Sequence, residues 1–209
     1  MAKAKDPAAG GFTALRAFVV ESFKPLSLNC EQMSYYRFRA FTEADLPLIA
    51  RWLKTPEVIR WWGDPDHELT ILTQDLDEPS MRQWIVEYRG HPFAYIQAYP
   101  AGAWPQVHLK HLCADTQMID AFVGEPDMLG QGHGRAFLRE LAQMLIDEGS
   151  PAVAIDPDAK NERARRAYAR AGFEGDEIVN AAEGPVVVMV FRKLCIGEKQ
   201  VSRHIGQEV

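Results

Sequence analysis

The sequence predicts a single domain of mixed α and β structure. Short strand-like runs alternate along the chain with amphipathic segments at helical spacing, and neither an internal repeat nor a low-complexity tract interrupts them. Apolar residues make up 47% of the 209 residues, enough for a sizeable core. Charged residues make up 25%, a proportion typical of folded chains.

The predicted domain occupies residues 33–195, with an N-terminal extension at 1–32 and a C-terminal tail at 196–209. The first residues carry two lysines but no clear apolar core of a signal peptide. No apolar run approaches the roughly 20 residues that span a bilayer. Three well-separated cysteines form neither a disulfide framework nor a zinc-type cluster. We therefore expect a cytoplasmic protein without membrane contact and without a metal.

The first half of the domain predicts a strand at 35–41, a helix and a hairpin. Thr42, followed by acidic residues, has the pattern of a helix N-cap. Within residues 82–99, two strand-like runs flank a turn at 89–92. Residues 101–115 predict an irregular surface loop. The apolar face of the helix is expected to contain Leu46, Ile49, Trp52 and Leu53.

The second half predicts strands at 118–123 and 152–156, two helices, and a final buried strand at 186–194. One helix follows the glycines of residues 130–134, and the other ends at Gly172, a typical C′ glycine. The first of these helices is expected to bury Phe137, Leu138, Leu141, Met144 and Leu145.

The glycine segment, with Gly130, Gly132 and Gly134 just before a helix, is suited to binding a pyrophosphate. Amides at a helix N-terminus have no intrahelical acceptor, the helix dipole is positive there, and glycine lets an anion approach closely. The segment is not a P-loop, because no Lys-Ser or Lys-Thr follows it. It is not a dinucleotide fingerprint either, because Arg135 stands where the third glycine is required. Glycines that merely shape a loop are the alternative.

A second motif, NxxAxxxYxxxGF, starts at Asn161 and contains Tyr168 and Gly172. With the glycine segment some thirty residues earlier, it resembles the GNAT superfamily of N-acetyltransferases. The likeness extends to the aminoglycoside 6′-N-acetyltransferase branch, which the chain resembles at residues 61–62, 94–99, 118–134, 155–161 and 167–173, and it covers roughly 35–194. The resemblance implies a mixed, mostly antiparallel twisted sheet of about six to seven strands flanked by helices.

The same resemblance implies acetyl-coenzyme A as co-substrate, with its pyrophosphate on the glycine loop and its pantetheine arm beside Asn161. Leu129 stands where the family usually has Arg or Gln, which removes one side-chain contact and leaves the amides in place. The residues expected to bind the cofactor are Phe122, Val123, Gln131, Gly132, His133, Gly134, Arg135 and Asn161.

Two residues are expected to be catalytic. Acetyl transfer to an amine needs a group that accepts the amine proton, since amines with a pKa near 8–10 are mostly protonated at neutral pH. The resemblance places Asp120, within the strand before the glycine loop, as that base or as a substrate-binding group. It implies that Tyr168 protonates the leaving thiolate. A structural aspartate bonded within the sheet and a packing tyrosine are the alternatives.

The acceptor is expected to be a cationic small-molecule amine, the 6′-amine of aminoglycosides being one candidate. Its predicted contacts combine carboxylates for ammonium groups with aromatic rings for a sugar face. The alternatives are a helix-entry turn for Asp156, an ordinary surface position for Asp115, and packing for the tryptophans. His108 and His111 receive no chemical role. The predicted acceptor contacts are Trp61, Trp62, Tyr99, Trp104, Asp115 and Asp156.

Two other functions remain open. Siderophore-type acyltransferases acylate hydroxylated amines, but they tend to have histidine in place of Asp120. A non-catalytic coenzyme A-binding regulator would need neither Asp120 nor Tyr168. The net charge of -6 argues against a nucleic-acid partner. We expect a monomer or homodimer.

Overall fold

The protein, described here by a computed structural model over residues 35–192, is built on eight strands and five α-helices. The strands are β1 (Tyr36–Ala40), β2 (Arg82–Tyr88), β3 (His91–Pro100), β4 (Gln117–Val123), β5 (Val153–Ile155), β6 (Ile178–Ala181), β7 (Gly184–Val187) and β8 (Met189–Phe191). The helices are α1 (Leu46–Leu53), α2 (Pro56–Trp62), α3 (Pro65–Gln74), α4 (His133–Asp147) and α5 (Glu162–Ala171). None of these helices is long and apolar enough to cross a membrane.

The main sheet has the strand order β1-β2-β3-β4-β5-β8, and β6 and β7 form a separate two-stranded sheet. All neighbours in the main sheet are antiparallel except β4 and β5, which are parallel. This mixed, mostly antiparallel sheet flanked by helices confirms the predicted fold class. The predicted extension at 1–32, the tail at 196–209 and the outermost residues of the predicted domain lie outside the described residues.

The two faces of the main sheet carry different cores. Ile85, Tyr95 and Phe122 pack with α1, α2 and α3. On the opposite face, Ala94 and Ile96 pack with α4 and α5. Because successive residues of a strand point to opposite faces, neighbouring positions of β3 contribute to different cores.

The predicted hairpin is confirmed, but its turn is shorter than expected. Only Arg89 and Gly90 lie between β2 and β3, whereas His91 and Pro92 belong to β3. Both turn residues have positive φ, 52° and 83°, which is typical of two-residue turns between antiparallel strands. A turn cluster in the sequence therefore marks the hairpin without fixing its length.

The predicted helix after Thr42 begins as a 3-10 turn, Glu43–Asp45, and continues as α1. Ile49, Trp52 and Leu53 are buried as predicted, and Leu46 is half-buried. The sequence analysis did not identify α3. Its start signals are nevertheless local: Asp64 accepts a 2.8 Å hydrogen bond from the His67 amide, and Pro65 occupies the first helical position.

The predicted final strand at 186–194 is wrong as a single element. It divides at Val188 into β7, which pairs with β6, and β8, which pairs with β5. Gly175 packs against this break, since a Cβ there would lie 2.2 Å from the Val188 carbonyl oxygen. An apolar run shows that a segment is buried but not that it changes partner, so the division is invisible in the sequence.

The helix after the glycines agrees with its prediction. In α4, Phe137, Leu138, Leu141 and Leu145 are buried, and Met144 is half-buried. The loop at 101–115 is irregular as expected, apart from a 3-10 turn at Val107–Leu109. This turn directs His108 and Leu109 inward.

Gly124 joins β4 to the glycine segment, and its lack of a side chain is required by packing. A Cβ at this position would lie 2.1 Å from Cδ2 of the buried Trp52. We expect Gly124→Ala to lower the free energy of unfolding by about 1–3 kcal/mol through overpacking, measured by urea denaturation. Gly134→Ala is the matched control, because nothing lies within 4 Å of its Cβ. Equal stability of the two variants would contradict the packing argument.

Candidate active site

The glycine segment forms a bend whose backbone amides are free to bind an anion. Gly130 and Gly132 have left-handed φ values of 77° and 87°. The amide of Ala136, bonded to the Gly132 carbonyl at 3.2 Å, makes the first hydrogen bond of α4. In the described part of the chain, the amides of residues 130–135 have no acceptor. The helix dipole adds positive potential at the same point.

The side chains of the bend offer fewer free hydrogen-bonding groups to an anion than its backbone amides do. Gln131 donates its side-chain amide to the Asp127 carbonyl. His133 forms a 2.8 Å hydrogen bond between Nδ1 and the Tyr36 hydroxyl, and burial lowers the pKa of its imidazole. Arg135 is exposed. Within residues 35–192, the side chains of Gln131 and His133 thus have intramolecular partners, whereas the main-chain amides of the segment have none.

The strands β4 and β5 pair only over Gln117↔Val153 and Met118↔Ala154, and then separate. Residues 119–123 of β4 therefore continue without a strand on that side, which leaves unpaired backbone groups along an edge. The predicted cofactor residues Phe122 and Val123 lie on this edge. Phe122 is buried against the aromatic core, whereas Val123 is half-buried. An extended ligand chain has room to pair with the strand here.

Asp120 lies in this separating part of β4, opposite Gln97 of β3. Gln97 donates its side-chain amide to Asp120 Oδ2 at 3.1 Å, and the Tyr95 hydroxyl donates to Gln97 Oε1 at 2.8 Å. This chain of two hydrogen bonds fixes the orientation of the carboxylate. The alternative of a carboxylate bonded within the sheet is thus partly realised, but Asp120 still keeps accessible surface.

The surroundings of Asp120 favour its neutral form. Burial raises the pKa of the carboxyl to about 7, and the negative charges of Asp156 and Glu183 add to the shift. Hydrogen bonds from Gln97 and Tyr99 oppose it. A carboxylate with a pKa near neutrality is able to accept a proton from an amine and release it again.

Asp156 follows β5 at the level of Asp120. The two β4–β5 pairs join positions 36 apart, which is also the separation of Asp120 from Asp156. Asp156 Oδ2 lies 2.9 Å from Nε2 of His108. The turn that follows is capped by Asp158, whose Oδ1 accepts the Lys160 amide at 2.7 Å. Asp156 is thus free of the capping role that was its alternative.

Tyr168 lies on α5, half-buried, and is electrostatically coupled to both carboxylates. Burial raises the pKa of its hydroxyl, with the charges of Asp120 and Asp156 contributing further. The ring lies 6.4 Å from that of Phe173. Within residues 35–192, the hydroxyl makes no hydrogen bond. A protonated phenol beside the carboxylates is available as a proton donor.

Asn161 is the N-cap of α5. Its side-chain oxygen accepts the Ala164 amide at 3.1 Å, so the side-chain NH2 group remains for other contacts. Asn161 also lines a surface cavity of about 280 Å³ between α2 and α5, together with Trp61 and Arg163. Arg163 closes this side through a 3.1 Å ion pair with Glu57.

The predicted aromatic contacts divide into two groups. Trp62 packs inward, 4.9 Å from the Phe122 ring, whereas Trp61 lines the cavity with Arg60 at 5.0 Å over its ring. Adjacent residues on a helix point in different directions, which accounts for one inward and one outward tryptophan. Trp104 meets Tyr99 edge-on at 5.2 Å, and the negative charge of Asp120 raises the pKa of Tyr99.

Asp115, a predicted acceptor contact, does not lie with Asp120, Asp156 and Tyr168. It is exposed, and its carbonyl oxygen accepts a 3.4 Å hydrogen bond from the Ser150 hydroxyl, while its carboxylate has no partner within residues 35–192. The structure instead adds two residues to which the sequence analysis gave no role, Gln97 and His108, each hydrogen-bonded to a site carboxylate. The exposed Glu183 acts on the same carboxylates through its charge. Only His108 had a visible signal, because a histidine between apolar residues of a polar loop is a candidate for inward placement. The position of Gln97 follows from the pairing of β3 with β4, and that of Glu183 from the tertiary arrangement of the chain, neither of which the sequence shows.

Comparisons with known proteins give consistent results. A family model described as an acetyltransferase (GNAT) domain matches residues 42–181. The chain is 30% identical over 165 residues to aminoglycoside N(6′)-acetyltransferase type 1 of Klebsiella pneumoniae, covering 73% of this chain and 80% of that protein. It is 24% identical over 131 residues to N-hydroxyputrescine acetyltransferase of Acinetobacter baumannii, covering 61% and 62%, respectively. The solved structure of AAC(6′)-Ib with paromomycin and acetyl-CoA matches with a TM-score of 0.69 at 28% identity, covering 77% of this chain and 94% of that one.

Asp120→Asn should stabilise the protein at alkaline pH. Because the pKa is raised from 3.8 to about 7, the native state binds this proton more tightly than the unfolded chain does. The resulting stabilisation is complete below pH 3.8 and is lost as the pH rises through 7. Asparagine never ionises, so we expect its melting temperature to exceed that of wild type by roughly 3–6 °C at pH 8.5 and by much less at pH 5.

Scanning calorimetry at the two pH values measures this difference, with Asp147→Asn, at the exposed end of α4, as control. A gain that is equal at both pH values, or a loss at pH 8.5, would refute the unfavourable burial of the Asp120 charge.

Proposed function

The chain belongs to the GNAT acetyltransferase family and is an N-acetyltransferase, and we propose that it acetylates a primary amine of a cationic small molecule, using acetyl-coenzyme A. The 6′-amine of aminoglycosides is the best-supported acceptor. The observation that carries the proposal is the placement of Asp120, Asp156 and Tyr168 around the point where β4 and β5 separate.

The residues present fit the co-substrate. The free amides of residues 130–135 suit its pyrophosphate, and the open edge of β4 suits the amide groups of the pantetheine arm. The NH2 group of Asn161 is available beside that arm. When bound, acetyl-coenzyme A supplies the acetyl group as a thioester. The structures of AAC(6′)-Ib with acetyl-CoA support this assignment by likeness.

The proposed reaction needs three proton transfers. Asp120 accepts a proton from the acceptor ammonium, which leaves a neutral amine whose lone pair attacks the thioester carbonyl carbon. The carbon–sulfur bond breaks, and the sulfur takes the proton of the Tyr168 hydroxyl. Gln97 holds the base in position through its 3.1 Å hydrogen bond. The nitrogen, positively charged after the attack, gives up a second proton as the amide forms. This proton replaces the one that left Tyr168, and the proton on Asp120 returns to solvent, which closes the cycle.

The charge of the site supports a cationic acceptor. The charges of Asp156 and Glu183 act on Asp120, and that of Glu183 acts on Asp156. None of the three carboxylates forms an ion pair with lysine or arginine within residues 35–192. Tyr99 and Trp104 provide an aromatic wall next to them. Carboxylates beside rings are the usual means of binding an aminosugar. The aminoglycoside acetyltransferases among the relatives have this class of acceptor in their names.

An N-hydroxylated diamine is the second candidate acceptor. It is favoured by the likeness to N-hydroxyputrescine acetyltransferase, and such a molecule also carries an ammonium group. A turnover screen with acetyl-coenzyme A across aminoglycosides, polyamines and N-hydroxydiamines separates the candidates. We expect the highest kcat/KM with an aminoglycoside.

Asp120→Asn should lower kcat with the best acceptor by about 10²- to 10⁴-fold, because the proton acceptor is lost. In the wild type, kcat/KM should rise with pH through about 7, where Asp120 ionises. Steady-state kinetics from pH 5.5 to 9 measure both effects, with Asp147→Asn as control. Unaltered turnover in Asp120→Asn would exclude its role as base, and coenzyme A binding without turnover on any amine would refute the proposed function.

Tyr168→Phe should lower kcat by about 10-fold or more while coenzyme A affinity stays within about threefold, because only a proton donor is removed. Turnover and calorimetric titration with coenzyme A provide the two readouts. Tyr35→Phe is the control, since Tyr35 is 59% exposed. Wild-type turnover in Tyr168→Phe would exclude the hydroxyl as the acid.

A further inference from the structure

His108 is the least expected member of the site. The 3-10 turn Val107–Leu109 directs it inward from the loop, and only 3% of its side-chain surface is exposed. Its Nε2 lies 2.9 Å from Asp156 Oδ2, across 48 positions of sequence. A buried histidine that forms its hydrogen bond with a site carboxylate has a fixed ring orientation.

Asp156 differs from Asp120 in having this partner. Burial raises the pKa of Asp156, and the hydrogen bond and charge of His108 oppose the rise. For Asp120, the groups that oppose the rise are the neutral Gln97 and Tyr99. Two neighbouring carboxylates with such different partners are suited to different tasks. The titratable groups that act on Asp156 or are acted on by it are His108, Tyr99, Asp120, Tyr168 and Glu183.

We propose that His108 is a positioning residue for the acceptor: it holds Oδ2 of Asp156 so that this carboxylate presents Oδ1 to a second ammonium group. The inference rests on the proposed function and deepens it, since it specifies an acceptor with at least two ammonium groups. Asp156 then binds one ammonium while Asp120 takes the proton of the other. His108 itself touches neither the acceptor nor the acetyl group.

The test is a double-mutant cycle between His108→Leu and Asp156→Asn, with an aminoglycoside such as kanamycin as acceptor. His108→Leu should raise KM by about 10-fold or more at pH 7, with kcat within about threefold. The increase should be larger at pH 6 than at pH 8.5, because an Asp156 without its partner binds a proton more readily. In the Asp156→Asn background, His108→Leu should cause no further increase.

Matched variants separate positioning from general damage to the loop. His108→Gln, which retains a donor that can reach Asp156, should restore KM to within about threefold of wild type. His111→Leu is the control, because His111 lies exposed in the same loop. If His108→Leu does not fold, His108→Asn, whose side chain is too short to reach Asp156, replaces it in the same cycle.

The outcomes distinguish the two proposals. A wild type that acetylates no amine overturns both. A wild type that acetylates kanamycin while His108→Leu keeps its KM and pH profile overturns only the role of His108. A KM increase of equal size in the presence and absence of the Asp156 carboxylate does the same, because it shows that His108 acts independently of Asp156.

Discussion

The separation of β4 from β5 after two residue pairs is the constraint on which the rest of the site depends. While the strands are paired, their facing edges are occupied. Beyond Met118 and Ala154, the backbone of β4 is open on the side of β5. Asp120 and Asp156 reach this gap at the same level from opposite sides. The amides of the glycine bend lie past the end of the same strand. The end of the β4–β5 pairing thus creates the space that the proposed function assigns to coenzyme A and to the acceptor amine.

The gap also explains the electrostatics. In a continuous sheet, a buried carboxylate would need a cationic or hydrogen-bonding partner from a neighbouring strand. Asp120 has only the neutral donors Gln97 and Tyr99, and a second carboxylate lies close by. The native fold therefore holds a carboxyl group whose charged form is unfavourable, and under the proposed function the ammonium group of a bound acceptor would offset this cost. On that proposal, stability is given up at the place where a proton acceptor is needed near neutral pH.

Much of this was predictable, because its signals are local. Local signals depend only on residues that are close in the sequence. They include the glycines before α4, the cap at Asn161, the C′ position of Gly172 and the apolar spacing of α1 and α4. Three features depend instead on contacts between residues that are distant in the sequence. They are the contact between His108 and Asp156, the position of Asp115 outside the site, and the division of the last apolar run at Val188. The sheet register that places Asp120 and Asp156 at the same height along β4 and β5 also depends on such tertiary contacts. A periodic sequence pattern predicts which face of a helix or strand is buried, but it does not predict which residues of other elements pack against that face.

The central claim is that two sets of main-chain amides bind the acyl carrier: the alternate amides of residues 119–123 that face away from β3, and the amides of residues 130–135. Hydrogen–deuterium exchange resolved to single amides, with and without saturating coenzyme A, tests it most directly. Slower exchange concentrated in those two sets of amides is the expected result. Binding that protects amides elsewhere and leaves these two unchanged, or no binding at millimolar coenzyme A, would contradict the account.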